Sequence, residues 1–181
     1  MCGIVGSAEV YSSEPQPWLK VASHALYHRG PDEFGEWWSS CGRVGLAHRR
    51  LSIIDLSELG KQPMHSQSRL SSIVFNGEIY NFMELRNELS DLGHRFYSRS
   101  DTEVLLAAYE QWGADCLSKL NGMFAFALFD SVRQRLFLAR DRAGEKPLYY
   151  KKSSGSLRFA SELKALLCDN SMPREIDWES L

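Results

Sequence analysis

The sequence predicts an α+β domain in which helices pack outside mainly antiparallel sheets. Six short runs of β-branched and aromatic residues, at 2–7, 44–47, 70–75, 123–129, 135–139 and 157–159, come in adjacent pairs and not in strict β-α-β alternation. Four other stretches repeat apolar residues at helical spacing. With 181 residues, 44% hydrophobic and 24% charged, the composition is that of an ordinary globular domain and excludes general disorder.

Taken in order, 2–7 reads as a first strand, and 17–26 as a helix with Trp18, Val21, Ala22 and Ala25 on one stripe. Strands at 44–47 and 70–75 follow. Phe82, Leu85, Leu89 and Leu92 mark a second helix, with Gly93 suited to the left-handed position past its end. Ser100-Asp101-Thr102-Glu103 is a capping-box match that opens a third helix through Ala108, Tyr109 and Trp112. Strands 123–129 and 135–139 flank Asp130-Ser131-Val132-Arg133-Gln134, a length suited to an antiparallel hairpin. After the strand at 157–159, Ser161, Leu163, Leu166 and Leu167 suggest a short last helix. The tail from Asp169, polar and containing Pro173, reads as the start of a connection, so the domain is expected at 1–168 and a linker at 169–181.

Lys plus Arg number 21 against 23 Asp plus Glu, a formal charge of −2, which gives no field to gather nucleic acid or an anionic membrane. The longest apolar run, Met123-Phe124-Ala125-Phe126-Ala127-Leu128-Phe129, falls far short of the ~18–20 residues that span a bilayer. Met1-Cys2-Gly3-Ile4-Val5-Gly6 lacks the features of a secretory signal, so a cytoplasmic location with reduced thiols is expected. Cysteines 2, 41, 116 and 168 form no CxxC pair, and the five histidines show no ligand spacing, so no metal site is expected. Cys41, Cys116 and Cys168 read as small buried hydrophobes.

Four segments concentrate groups too costly to bury without partners. They are His28-Arg29-Gly30-Pro31-Asp32, His48-Arg49-Arg50-Leu51-Ser52-Ile53-Ile54-Asp55, Phe75-Asn76-Gly77-Glu78-Ile79-Tyr80-Asn81 and Ser100-Asp101. Each falls at a strand end or helix start, where functional groups are usually presented. Spacing alone supports only a weak inference that they converge, and a lone Asn-Gly is most often a turn.

Together with Met1-Cys2-Gly3-Ile4, Gly122-Met123-Phe124-Ala125-Phe126-Ala127, Arg140-Asp141-Arg142 and Ala160-Ser161-Glu162-Leu163-Lys164-Ala165-Leu166, these segments resemble the glutaminase domain of glutamine-hydrolysing asparagine synthetases. That domain belongs to the class II glutamine amidotransferases, within the N-terminal-nucleophile hydrolases. The likeness runs in order from residue 2 to about 167. It implies a four-layer α/β/β/α sandwich of two mainly antiparallel sheets. It also implies a nucleophile, Cys2, freed by loss of Met1, so that one residue supplies both thiol and basic α-amine. Asn76 and the Gly77 N–H are implied as the oxyanion donors. Arg50 is implied as the clamp on the glutamine carboxylate, with Leu51, Ser52, Ile53 and Ile54 lining the pocket. Asp101, with Glu78 beside it, is implied to accept the ligand ammonium. His28, Arg29, Asp32, Tyr80, Asn81, Arg140 and Asp141 are read as structural. Glu145 stands where members often carry an apolar residue, a departure that bears on local packing or a neighbour's interface.

The expected reaction is hydrolysis of L-glutamine to glutamate and ammonia through a Cys2 thioester. No Ser-Gly-Gly-x-Asp-Ser loop or P-loop occurs. The resemblance therefore assigns ATP and Mg2+, and amidation of aspartate, to a C-terminal synthetase domain outside these residues. No cofactor is expected in this chain, and an oligomer is compatible with it. Two alternatives stand beside this reading: the same glutaminase feeding a different carboxylate acceptor, and a non-catalytic glutamine-binding or regulatory domain that keeps Met1.

Overall fold

A computed structural model describes residues 1–12, 14–172, 174, 175 and 178. Its regular elements are β1 (Gly3–Glu9), α1 (Trp18–Ala25), β2 (Glu33–Trp38), β3 (Val44–Arg50), β4 (Met64–His65), β5 (Ser71–Ile79), α2 (Phe82–Asp91), α3 (Asp101–Trp112), β6 (Gly122–Asp130), β7 (Arg135–Arg140), β8 (Tyr149–Ser153), β9 (Ser156–Ala160) and α4 (Leu163–Leu166). The strands form two antiparallel sheets, ordered β2-β3-β1-β9-β8 and β4-β5-β6-β7.

Alternation along the strands sorts the side chains into three cores. Ile4, Val44, Leu46, Val74, Ala125, Ala127, Phe129 and Phe159 meet between the sheets. Residues of opposite parity, Val5, Ala47 and Ala160, pack under α1 and α4 against Leu19, Ala22 and Leu166. Ile73, Phe75, Phe126 and Leu128 face α2 and α3 through Leu85, Leu89, Val104 and Leu105. Each fully buried Leu, Ile or Phe contributes roughly 1.5–3 kcal/mol. The result is the four-layer α/β/β/α sandwich that the resemblance implies.

Several local expectations hold and several need correction. Gly93 takes φ +95 after α2, as a helix-ending glycine should. The Ser100 hydroxyl accepts the Thr102 N–H at 3.1 Å, while Glu103 reaches past Ser100 to the N–H groups of Tyr97 and Ser98. Of the α1 stripe Trp18 and Ala22 are buried as expected, but Val21 is exposed and Ala25 half-buried, and Leu19, Ser23 and Leu26 are buried beside them. Asn76-Gly77 is no turn, since β5 runs through it to Ile79, paired with β6. Strands β2, β4 and β8 escape the sequence patterns. Cys116 is buried, its thiol pushed up to about 11 by burial and the neighbouring Asp115 charge, but Cys41 is exposed and Cys168 half-buried. The packed body runs past 168: Asp169 is buried and ion-paired to Arg158, and Met172 packs on the core beneath α1 and α4. Of the expected linker, residues 173, 176, 177 and 179–181 lie outside the described residues. No helix among the described residues is long and apolar enough to cross a membrane.

His48 joins the two sheets, its Nε2–H donating to the Phe75 carbonyl at 3.1 Å. Burial pushes its imidazole down to about 4 against the opposing effect of that bond. A folded pKa below the unfolded ~6.5 means that the unfolded chain binds the proton first as pH falls. Stability from this group is therefore present above pH ~6.5 and lost towards pH ~4, by as much as about 3 kcal/mol. Urea unfolding at pH 7 and 4.5 checks this: the wild-type midpoint falls more steeply than that of His48→Gln, and parallel slopes contradict it.

Candidate active site

Strand parity builds the site before any chemistry is considered. Cys2 lies one strand repeat before Ile4, Asn76 one repeat after Val74, and His48 and Arg50 follow Leu46 on β3. Ile4, Leu46 and Val74 all belong to the layer between the sheets, so these polar groups continue that layer to its open end. There Cys2, Arg50 and Asn76 line a cavity of about 150 Å³ together with Met1, Leu51, Ile53, Ile54, Asp55, Gly60, Gln62, Gly77, Glu78, Asp101 and Lys146, while His48 stays buried behind it.

The Cys2 Sγ sits 3.5 Å from the Leu51 N–H, which donates to it. Burial raises the thiol pKa; the Leu51 bond, the chain amine and Arg50 oppose that rise, and the Asp101 charge reinforces it. The Cys2 carbonyl is held by Arg29 Nε at 2.9 Å, and Arg29 in turn is paired with Glu162 at 2.9 Å. Glu162 is pulled down to about 2: burial works against ionisation there, but Arg29, His28 and Lys164 outweigh it.

Two donors face the cavity without acceptors. Asn76 is 1% exposed and its Nδ2 has no hydrogen-bond partner among the described residues. The second donor follows from the ladder. Phe124, opposite Gly77, gives its N–H to Asp141 Oδ2 and receives the Asp141 N–H on its carbonyl. Gly77 and Phe124 therefore form a non-bonded antiparallel pair, and the Gly77 N–H points away from β6. The N–H groups of like parity are taken up by side chains, Phe75 by Gln62 Oε1 at 2.6 Å and Ile79 by Asp101 Oδ2 at 3.0 Å. The Gly77 N–H between them has no protein acceptor among the described residues. Only glycine fits here, because a Cβ would lie 2.3 Å from the Met123 carbonyl.

Arg50 ends β3 and is buried. Its Nη1 donates to Glu33 Oε2 at 2.7 Å and to the Ser57 carbonyl at 3.2 Å, and its Nη2 donates to the Asp55 carbonyl. Burial works to raise the Glu33 carboxyl, but bonds from Arg50 and Lys61 hold it below the usual range. Arg50 Nε has no partner among the described residues, so the head is fixed by the Asp55 and Ser57 carbonyls and the Glu33 carboxylate while a donor edge stays free. Asp101, at the first turn of α3, is pushed up to about 6 by burial, with the Glu78 charge adding to the rise and the Ile79 and Thr102 N–H groups opposing it.

Of the residues implied from sequence, Cys2, Arg50, Leu51, Ile53, Ile54, Asn76, Gly77, Glu78 and Asp101 share this cavity. Ser52 does not; its N–H is held outside by Asp32 at 2.8 Å. Asn81 bridges to Lys119 and Asn121, and Glu145 is exposed with its N–H on Asp141. Gln62 and Lys146, both buried in the lining, escaped the sequence reading. No trio of His, Cys, Asp or Glu is arranged to hold a metal ion among the described residues.

The chain matches the family described as Glutamine amidotransferase domain over residues 1–181. It is 40% identical over 181 residues to "Asparagine synthetase [glutamine-hydrolyzing] 3" of Bacillus subtilis, covering 98% of this chain and 29% of that protein. It is 43% identical over 149 residues to "Amidase chry2" of Gibberella zeae, covering 82% of this chain and 22% of that protein. The chain thus spans less than a third of the length of either relative. Among solved structures, the glutamine phosphoribosylpyrophosphate amidotransferase of Bacillus subtilis superposes with a TM-score of 0.78 at 23% identity, covering 92% of this chain and 43% of that one, which shows a shared fold. From its first residue to its last, this chain belongs to the glutamine amidotransferase domain family.

Proposed function

We propose that this chain, freed of Met1, hydrolyses L-glutamine to glutamate and ammonia through a thioester on Cys2. The observation that carries the reading is the pair of cavity-facing donors, Asn76 Nδ2 and Gly77 N–H, beside the Cys2 thiol. A free α-amine at Cys2 has an ordinary pKa near 7.7–8.0, close enough to a thiol's ~8.5 to take its proton near neutrality. The thiolate attacks the side-chain carboxamide carbon, and the C=O electron pair moves to oxygen. Asn76 and Gly77 donate to that oxyanion. Collapse expels ammonia, which takes the proton back from the α-ammonium. Water, deprotonated by the same amine, then attacks the thioester and releases glutamate and the thiol.

In this reading the free edge of Arg50 binds the substrate carboxylate, Asp101 and Glu78 receive its ammonium, and Leu51, Ile53 and Ile54 wall the approach. The ammonia feeds amidation of aspartate by a C-terminal synthetase domain that uses ATP and Mg2+, and the assembly is cytoplasmic. The asparagine synthetase relative supports this acceptor.

Two measurements test the proposal. With loss of Met1 verified by intact mass, the chain releases glutamate from glutamine, Cys2→Ala abolishes release while remaining folded, and Asn76→Ala lowers kcat about 100–1,000-fold. Activity in Cys2→Ala, or normal kcat in Asn76→Ala, overturns it. Arg50→Ala is expected to raise KM for glutamine tenfold or more; an unchanged KM removes Arg50 from the carboxylate site.

A further inference from the structure

We infer that Lys146 is a positioning residue whose uncompensated ammonium holds the Cys2 α-amine in its basic form once Met1 has gone. The inference rests on the proposed thioester chemistry, because it concerns the base that chemistry needs.

Lys146 is 7% exposed and lines the cavity, with Nζ 3.6 Å from Met1 Sδ. Its backbone is pinned beside β6: its N–H lies 3.0 Å from Asp141 Oδ2, and its carbonyl takes Arg140 Nε at 2.7 Å. The same Asp141 oxygen binds the Phe124 N–H opposite Gly77. The lysine is thus fixed to the strand pair that carries the oxyanion donors. A buried ammonium is normally paired. The lysines in ion pairs among the described residues are Lys61, Lys119 and Lys164, and Lys146 is not one of them.

Every other charge facing the chain start has an assigned partner or the opposite sign. Arg29, from the turn after α1, is matched by Glu162 ahead of α4. Arg50, from β3, is matched by Glu33 of β2. Asp55 after β3, Glu78 of β5 and Asp101 of α3 line the cavity as carboxyl groups, with the Cys2 thiol itself. Asp141 binds backbone N–H groups. Among the described residues, Lys146 is therefore the cation at Met1 without a carboxylate, and removing Met1 opens the volume its side chain fills directly onto that ammonium. A like charge disfavours a second positive charge nearby. The Cys2 amine accordingly loses its proton at lower pH than it would with a neutral side chain in place of Lys146, against the opposing pull of the Asp55, Glu78 and Asp101 carboxyls.

The test uses the Met1-free chain labelled with 15N-cysteine, in wild type, Lys146→Met and Lys146→Arg. The 15N shift of the Cys2 amine reports its titration, and glutamate release gives the pH profile of kcat/KM. In Lys146→Met the amine titrates about one unit higher, a shift of the size a neighbouring charge produces, and the acid limb of kcat/KM moves up with it. Lys146→Arg stays close to wild type. An unmoved amine titration in Lys146→Met, a raised KM without any shift of the limb, or Lys146→Arg behaving like Lys146→Met overturns the inference. If Lys146→Met does not fold, Lys146→Gln is judged by the same criteria. Failure of the wild type to release glutamate overturns the proposed hydrolysis instead, since the amine titration is read without turnover.

Discussion

A buried amide donor with nothing to bond costs about 1–3 kcal/mol, and this fold keeps one in Asn76. Strand alternation explains why it is there. Ile4 on β1, Leu46 on β3 and Val74 on β5 fill the layer between the sheets, and further toward its open end the same parity is occupied by Cys2, His48, Arg50 and Asn76. The His48 ring is satisfied by a carbonyl across the sheets and Arg50 by a carboxylate and loop carbonyls. Asn76 is left aimed into the cavity. A donor preformed at full burial needs no reorganisation when negative charge develops beside it, which is the arrangement that stabilises an oxyanion best.

The charges around the cavity follow a similar logic. Arg29 and Arg50 are each locked by a carboxylate that lies outside the cavity lining, Arg50 as a rigid part of the wall and Arg29 behind Cys2. Arg29 fixes the carbonyl of Cys2, which orients the residue from behind. Asp101 is held at the start of α3 by the Ile79 N–H, so one carboxylate both completes the β5 edge and lines the cavity. Its rise to about 6 through burial means that a bound ammonium would strengthen its ionisation.

The inner strands were legible because β1, β3, β5 and β6 carry continuous apolar or alternating runs. β2 was not, because Glu33, Gly35 and Glu36 interrupt it and its Gly35 is required by the Gln62 carbonyl lying against it, a contact invisible to local pattern. β8 reads Tyr-Tyr-Lys-Lys, a solvated edge strand without an apolar face. The buried face of α1 is shifted toward Leu19 and Leu26 while keeping Trp18, because Leu19 and Leu26 carry the same spacing as Trp18 and Ala25, and periodicity alone does not choose between overlapping stripes. At the site, the fixed words around Cys2, Arg50, Asn76 and Asp101 brought these residues forward. Gln62 and Lys146 act through long-range placement, in loops with no distinctive spacing. Ser52 was included by continuity of its segment, but its alternation along the loop carries it out of the lining and onto Asp32.

The central claim is that the thiol of residue 2 and two unpartnered donors on β5 act on one carbonyl group. A crystal structure of the Met1-free chain trapped with an electrophilic glutamine analogue tests it most directly. The account predicts a covalent bond to the Cys2 Sγ, with the analogue's oxygen about 2.7–3.2 Å from both Asn76 Nδ2 and the Gly77 nitrogen. An adduct on Cys41, Cys116 or Cys168, or an oxygen turned away from both donors, would contradict it.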